Sequence, residues 1–414
     1  MRKKDTSYFG IEENWLFHKL TLLLGEQSVI EQSRQENDDA LNWNQVLKVA
    51  QTHAILSLLY PLTEQKGIPE NVKQCIRETS VTTVQQNYRL LFLTHYLVEK
   101  MREAKVPVIV LKGVATAEFY PVPELRKSGD IDLLVPREEM FIQAIHILKE
   151  MGAKEKDVPS VNHHQVFITE EGIEIELHVM LAEPFDDDKV NHYLEKLTTT
   201  LFDKVCQHKI MELDFPVLTE GYHAYYLLLH MLQHFLRSGF GLKLLCDWVV
   251  FWNHTIEKQE IEIYRNCVVD SGLEGFSDMI TFLSTQYLGL KETNAKKILF
   301  SSCANIREDR FMRDILDSEE FGQTGEGRLV ALRGTKVSDY FREFHHQMKL
   351  NFPKKSRYAI WFPLLWLWTL VRFLRNNRKV RKVSLVHVLK QARERSHYVE
   401  KLHLFQIKKR NDYE

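Results

Sequence analysis

The segment VIVLKGVATAEFYPVPELRKSGDIDLLVPREE, residues 108–139, decides the fold. Residues 106–111 are apolar and β-branched, and they predict a strand buried on both faces. The Lys112-Gly113 pair then predicts a turn that opens a short helix. Residues 130–135, DIDLLV, predict a second strand, which Pro136 ends. Two carboxylates in such an apolar run are costly to bury unless a metal ion, a cationic side chain or water compensates them.

The residues that follow extend these strands into a small sheet. Residues 137–152 have the apolar spacing of an amphipathic helix, with Gly152 as its stop. Residues 163–169 and 173–181 predict an antiparallel hairpin. Apolar residues three and four apart predict helices on both sides of this region. The predicted fold class is α+β, with a small mixed sheet embedded in a mostly helical chain.

The alternation along these strands predicts an acidic cluster. Residues two apart in a strand share a face, so Asp130 and Asp132 project together, and so do Glu174, Glu176 and His178. If the two strands are neighbours, one Glu can join the aspartates. Carboxylates of this kind bind Mg²⁺, and two ions ~3.5–4 Å apart can clamp both oxygens of a phosphoryl displacement. A solvated strand edge without a metal is the alternative interpretation.

The residues around the acidic pair suit an anionic ligand. Lys112 offers a positive charge, and Gly113 lets backbone N–H groups at a helix start approach a phosphate. Arg126 lies in the loop before the acidic strand, where it can also reach a phosphate. Gly129 immediately precedes the pair. We therefore predict Lys112, Gly113, Arg126 and Gly129 as phosphate-binding residues.

Two other features have more than one interpretation. His230 and His234 stand four apart on a predicted helix, a spacing that can hold zinc, but no HExxH motif surrounds them. We interpret them as packed or hydrogen-bonded histidines, with Asp247 as a candidate partner for one of them. Residues 358–371, YAIWFPLLWLWTLV, are almost wholly apolar between basic flanks. The run is shorter than the ~20 residues of a bilayer span. It predicts an interfacial helix on an anionic membrane or a helix docked on this protein or a partner, which is the preferred interpretation.

The length and composition limit the class of protein. A chain of 414 residues exceeds what one hydrophobic core usually serves. We predict these regions: 1–80, N-terminal helices; 81–205, the α/β module; 206–316, a helical domain; 317–336, a flexible loop; 337–414, a helical, aromatic and basic region.

The charge and cysteine content bear on partners and location. The formal net charge is -1, so there is no strong nucleic-acid signal. Five cysteines without a CxxC motif favour a reducing compartment, and the N-terminus lacks the apolar run of a signal peptide. We predict a cytoplasmic protein whose region 354–382 contacts a partner protein or, peripherally, the inner face of a membrane.

Three motifs together resemble a known family. They are LKG (111–113), RxxGDIDLLV (126–135) and IELH (175–178). They look like the uncharacterised nucleotidyltransferase family of the DNA polymerase β-like superfamily, and the resemblance extends over about residues 81–252. Asp130 and Asp132 match the paired metal ligands of the superfamily. Glu176 matches the third carboxylate, where many members have Asp, and Lys112-Gly113 stands where the wider superfamily usually has Gly-Ser.

The resemblance implies a reaction and its cofactors. A nucleoside monophosphate would pass from a nucleoside triphosphate such as ATP to an acceptor, with release of pyrophosphate. Asp130, Asp132 and Glu176 would be catalytic and would hold Mg²⁺ or Mn²⁺, while Lys112 and Gly113 would contact the triphosphate. The acceptor could be a small molecule, a saccharide precursor or a protein. The alternatives are a catalytically silent binding or scaffold protein and a metal-dependent phosphate-ester hydrolase.

Overall fold

One seven-stranded mixed sheet lies at the centre of the computed structural model. The structure describes residues 8–25, 40–136, 139–156, 164–237, 239–300, 308–318, 337–352, 355–376, 396 and 399–406. The strands are β1 (Ile109–Val110), β2 (Asp130–Leu134), β3 (Lys154–Glu155), β4 (His164–Ile168), β5 (Glu174–His178), β6 (Val205–Ile210) and β7 (Leu213–Leu218). Their spatial order is β3-β4-β5-β2-β1-β7-β6. The α+β prediction is confirmed.

Helices surround this sheet on both sides. They are α1 (Ile11–Leu23), α2 (Trp43–Thr52), α3 (Glu70–Glu103), α4 (Val114–Ala117), α5 (Glu139–Glu150), α6 (Asp188–Leu201), α7 (Glu220–Arg237), α8 (Leu242–Asn253), α9 (Lys258–Ser271), α10 (Glu274–Tyr287), α11 (Glu292–Ile298), α12 (Glu308–Leu316), α13 (Val337–Asn351) and α14 (Phe362–Asn376). Among the described helices, none is long and apolar enough to cross a membrane.

The pairing of the strands decides which side chains meet. β1 runs antiparallel to β2 on one side and parallel to β7 on the other. β2 runs parallel to β5, with Asp132 opposite Glu176. β4 and β5 form the predicted antiparallel hairpin. The DxD strand and the acidic hairpin strand are therefore direct neighbours.

The two faces of the sheet have separate environments. Ile131 and Leu133 of β2 pack with Ile175 and Leu177 of β5 against buried residues of α3 and α5. Leu134 belongs instead to the larger core that includes α7 and α8. Because side chains alternate along a strand, Asp130 and Asp132 share the face of Leu134. The carboxylates thus lie on the side of the sheet that α7 and α8 cover.

Several element boundaries differ from the sequence-based expectation. The strand predicted over 106–111 is limited to β1, because only Ile109 and Val110 pair in the ladder. The hairpin of β6 and β7 was not predicted, and through it the sheet continues beyond residue 204. Helix α3 runs through position 80, the expected end of the N-terminal region. Of the loop predicted over 317–336, residues 319–336 lie outside the described residues.

Candidate active site

The register of β2 and β5 assembles a compact group of charged side chains. We name Lys112, Asp130, Asp132, Glu176 and His178 the carboxylate site. One ligand atom each from Asp132, Glu176 and His178 lies within 4.8 Å of the other two. The side chain of Asp132 is almost fully buried, with 1% of its surface exposed. The sequence-based prediction that Glu176 and the aspartates share one face of adjacent strands therefore agrees with this geometry.

Lys112 lies between the two aspartates. Its Nζ donates to Asp130 Oδ2 at 3.1 Å and lies 3.2 Å from Asp132 Oδ2. Burial by itself would lower the pKa of Lys112, but the Asp132 and Asp130 carboxylates raise it well above its ordinary value. The lysine is therefore a charged ammonium that neutralises part of the site.

Gly113 explains how the chain turns just after this lysine. Its φ is +68°, a conformation that strains residues with a Cβ. The turn directs the chain from Leu111 into α4, whose backbone starts beside the site. Gly129 has no such requirement, since a Cβ built there meets nothing within 4 Å. The glycine at position 113 is thus explained by its backbone conformation. No steric requirement in the structure explains the glycine at position 129.

His178 contributes the second cation of the site. Its Nε2 lies 3.0 Å from Asp132 Oδ1 and 3.3 Å from Glu176 Oε2. Burial would lower the pKa of His178, but these carboxylates raise it to about 9. The ring also stacks on His164 of the neighbouring strand β4, at 5.5 Å between centroids. His178 is therefore an imidazolium near neutral pH and is held in place from both sides.

The carboxylates respond to these cations differently. Burial opposes ionisation of Asp130, yet the Lys112 ammonium lowers its pKa to about 2. Burial likewise opposes ionisation of Glu176, and the hydrogen bond from His178 lowers its pKa to about 2. At Asp132 burial prevails, and the pKa is raised. Asp132 is the residue where a further positive charge would be most stabilising.

The donor set fits a hard divalent cation. Asp132 Oδ2 is buried and makes no hydrogen bond, although Lys112 lies near it. Carboxylate oxygens are the ligands that Mg²⁺ and Mn²⁺ prefer, and an imidazole nitrogen also suits Mn²⁺, provided that His178 gives up its proton when the ion binds. Asp132, Glu176 and His178 are close enough for one ion to contact all three. Asp130, the other predicted ligand, points its Oδ2 at the Lys112 ammonium.

Arg126, one of the predicted phosphate-binding residues, is buried and paired within the protein. Its guanidinium makes a buried bidentate pair with Asp247, with Nε to Oδ1 at 2.7 Å and Nη2 to Oδ2 at 2.8 Å. Tyr120 donates its hydroxyl to the same Oδ1 at 2.6 Å. Asp247 is thus the partner of Arg126 and not, as expected, of a helix α7 histidine. The expectation failed because the pairing residues are 121 positions apart, which no local pattern discloses.

Helix α7 supplies neighbours of the site that the sequence-based prediction missed. Tyr226 is buried, and burial together with the Asp132 carboxylate raises the pKa of its phenol. His230 stacks on Tyr226, and its Nε2 lies 3.1 Å from Nε2 of His234. Burial and the Lys112 charge lower the pKa of His230, so it is neutral. The two histidines are hydrogen-bonded to each other, whereas the prediction named Asp247 as the candidate partner. Their four-residue spacing with Tyr226 was the available signal for a shared face.

A groove opens beside the carboxylate site on the side of α3. Lys112, Gly113, Ser128 and Asp130 line one part of it. Apolar residues of α3 and the β6–β7 turn line the rest, among them Leu91 and Met211. The groove joins the charged residues to an apolar wall, the combination that small-molecule sites commonly have.

Comparisons with known proteins identify the family of this chain. The sequence profile of a family described as uncharacterised nucleotidyltransferase matches residues 39–274, more than half of the chain. A comparison with curated proteins finds no match. Among solved structures, the chain is similar to an antigenic nucleotidyltransferase-like protein from Paracoccidioides brasiliensis, with 13% identity and a TM-score of 0.33. That match covers 51% of this chain and 94% of the other. On the extent of the profile match, the chain belongs to the uncharacterised nucleotidyltransferase family.

Proposed function

We propose that this protein transfers a nucleoside monophosphate from a nucleoside triphosphate to an acceptor and releases pyrophosphate. One observation carries the proposal. Three carboxylates from two parallel strands converge at a lysine-bearing turn that has a positive-φ glycine. Phosphoryl chemistry depends mostly on positioning and on neutralising charge. A site with excess carboxylate beside the Lys112 ammonium can do both.

In this proposal Asp130, Asp132 and Glu176 hold Mg²⁺ or Mn²⁺. The bound ion would neutralise charge that develops on the triphosphate oxygens. The three side chains are held for this role by the strand backbone, because β2 and β5 pair over five successive positions. Glu176 accepts the proton of an acceptor hydroxyl in this proposal, and its side chain is more exposed than that of Asp132, the other carboxylate beside His178.

Lys112 has two roles in the proposal. Without a cation, its ammonium compensates Asp130 and Asp132. If a divalent ion compensated the aspartates instead, the four-carbon side chain of Lys112 would be free to contact the triphosphate. Because Gly113 has no side chain, the backbone of the turn stays accessible to the triphosphate. The N–H groups at the start of α4 add hydrogen-bond donors there.

The module that we propose for this reaction consists of residues 81–205 together with the β6–β7 hairpin. The hairpin is included because β7 pairs with β1, the strand that leads to Lys112. Helices α7 and α8 form the wall above the carboxylates.

The test supplies each of four NTPs, labelled at the α-phosphate, with Mg²⁺ or Mn²⁺ and a cell extract. Transfer predicts that label enters an acceptor while pyrophosphate is released. Label in a small soluble product indicates a metabolite or saccharide precursor, and label in the protein fraction indicates protein modification.

Two variants control this experiment. Asp132→Asn removes a carboxylate of the site, and Asp214→Asn removes an exposed one on β7. The first variant should lose labelling and the second should retain it. Free nucleoside monophosphate without a labelled acceptor would indicate hydrolysis instead. Absence of labelling together with absence of thermal stabilisation by Mg²⁺ and NTP would favour a catalytically silent protein.

A further inference from the structure

The C-terminal helix α14 and the 3-10 turn before it expose large apolar side chains. Ile360 is 85% exposed, Trp368 62% and Leu367 56%. Exposed apolar residues recur every three or four positions, so they form one continuous stripe. We name this stripe the aromatic face; it consists of Ile360, Trp361, Leu364, Leu367, Trp368 and Val371. A contiguous apolar surface of this kind marks an interaction site.

The opposite side of α14 is already packed. Leu365 and Thr369 are buried. Trp366 donates its indole N–H to His345 Nδ1 of α13 at 3.2 Å, and its ring packs edge-on against Phe341. Met348 of α13 is fully buried in turn. Packing on α13 therefore fixes the rotation of α14 and leaves the aromatic face pointing outward.

The charge around the aromatic face has one sign. Residues 344–393 contain no Asp or Glu, while Lys and Arg occur twelve times. Within the described part of this stretch, Lys355 and Arg357 precede α14 and Arg372 lies in its last turns. Cations thus flank the apolar stripe at both ends. The complementary surface is anionic at its boundary and apolar beneath.

We propose that the aromatic face docks on an anionic phospholipid bilayer and lies in the plane of its surface. A helix of 15 residues is ~22 Å long at 1.5 Å per residue, too short to cross ~30 Å of hydrocarbon. Tryptophan and leucine enter the head-group and acyl boundary, and the flanking Lys and Arg contact acidic head groups. The convex stripe has this amphipathic pattern. The proposal is independent of the nucleotide chemistry.

The test is flotation of the full-length protein with vesicles of phosphatidylcholine, with or without phosphatidylglycerol. Binding should require the anionic lipid and weaken with added salt. The double variant Trp361→Ser/Trp368→Ser should bind at least ~10-fold more weakly, because two large apolar side chains no longer enter the bilayer. Phe92→Ser is the matched control, since Phe92 is a 60% exposed aromatic residue on α3. It should bind as the unchanged protein does.

A second pair of measurements tests insertion rather than simple attraction. The conservative variant Trp361→Phe/Trp368→Phe should still bind, but lipids with brominated acyl chains should quench less of its tryptophan emission. The charge variant Lys355→Glu/Arg372→Glu should lose binding to the anionic vesicles.

The proposal fails if the unchanged protein does not float with anionic vesicles, or if Trp361→Ser/Trp368→Ser floats equally well. It also fails if the protein forms a concentration-dependent dimer that the same double variant abolishes, without vesicle binding. That outcome would assign the aromatic face to a second copy of the chain.

Discussion

Two buried charged groups lie near each other in this protein, and they are built on different principles. The Arg126 cluster, formed by Tyr120, Arg126 and Asp247, matches one guanidinium to one carboxylate through two hydrogen bonds. The carboxylate site sets three carboxylates against one ammonium and one imidazolium. The Arg126 cluster is balanced, whereas the carboxylate site has an excess of negative charge.

This difference separates a structural role from a functional one. Both oxygens of Asp247 accept from Arg126, and Tyr120 adds a third hydrogen bond. Such a pair ties the loop before β2 to helix α8. Asp132 instead keeps a buried oxygen without a hydrogen bond. A buried group that is left partly uncompensated is costly, and function commonly accounts for that cost.

The largest expected effect is on catalysis. Asp132→Asn should slow metal-dependent pyrophosphate release by at least ~10³-fold, because the metal contributes several kcal/mol of charge stabilisation in the transition state. The midpoint of urea unfolding should change little, since the variant removes charge from a site with excess carboxylate. Activity and unfolding are to be measured on the same preparation. If Asp132→Asn unfolded at a lower urea concentration but released pyrophosphate at the normal rate, the carboxylate site would have a structural role and not a catalytic one.

The second effect is on stability, and it comes from the other group. Asp247→Ala leaves the Arg126 guanidinium buried without its partner, which should cost ~3–5 kcal/mol in the free energy of unfolding. Urea titration followed by circular dichroism measures this loss. The paired variant Arg126→Met/Asp247→Leu removes both charges and should recover most of the stability. A single variant within ~1 kcal/mol of the unchanged protein would contradict the structural role of the pair.

A third effect tests whether Lys112 and a metal ion compete. Lys112→Met removes the ammonium from between the aspartates, so the metal-free protein should melt at a lower temperature. Mn²⁺ or Mg²⁺ should then raise the melting temperature more than in the unchanged protein. A ligand at 100-fold its Kd adds ~2.7 kcal/mol. Lys209→Met removes an exposed lysine of β6 and is the matched control. Equal metal-induced shifts in all three proteins would refute competition.

The smallest effect is a pH dependence next to the Arg126 cluster. Burial lowers the pKa of His223 to about 4, and its ring lies between Phe119 and Phe251. The ordinary pKa of histidine is about 6.5, so between pH 6.5 and 4 the unfolded chain binds a proton that the folded chain excludes. Stability from this residue is therefore present above pH 6.5 and decreases as the pH falls towards 4.

The variant His223→Gln cannot take up that proton. Its melting temperature should fall less steeply over this acidic range than that of the unchanged protein. His146→Gln, on the exposed surface of α5, should leave the slope unaltered. Identical slopes in the unchanged protein and His223→Gln would show that His223 does not titrate in this way.

Sequence patterns predicted the parts of the fold that depend on neighbouring residues. The alternation predicted that Asp130 and Asp132 share one face of β2 and that Glu176 and His178 share one face of β5. In the structure these two faces lie on the same side of the sheet. The turn at Gly113 was equally visible. The pairing of Arg126 with Asp247 was not, because it depends on how α8 packs against a loop far away in the sequence. The alternation of side chains along a strand predicts the face on which each residue lies. The residues that it contacts depend on tertiary packing.

The position of Lys112 illustrates the same limit. The sequence indicated that Lys112 lies beside the carboxylates. Whether its ammonium contacts Asp130 or solvent depends on all the charges around it. Tyr226 and His230 were missed for a related reason. Their helix reaches the site only because β7 joins the sheet beside β1, and β7, with its internal Pro216, was not recognised as a strand.

The connection between β7 and α7 limits how this protein can be shortened or recombined. Only Thr219 separates the end of β7 from the start of α7. A fragment that stops before residue 205 would turn the two-residue β1 into an unprotected sheet edge and would remove the helix above the acidic residues. A fragment that stops before α8 would leave the buried Arg126 guanidinium without its partner Asp247. The smallest transplantable unit that keeps the carboxylate site and the Arg126 cluster therefore extends to about residue 253, and gene fusions to this protein are best joined outside it.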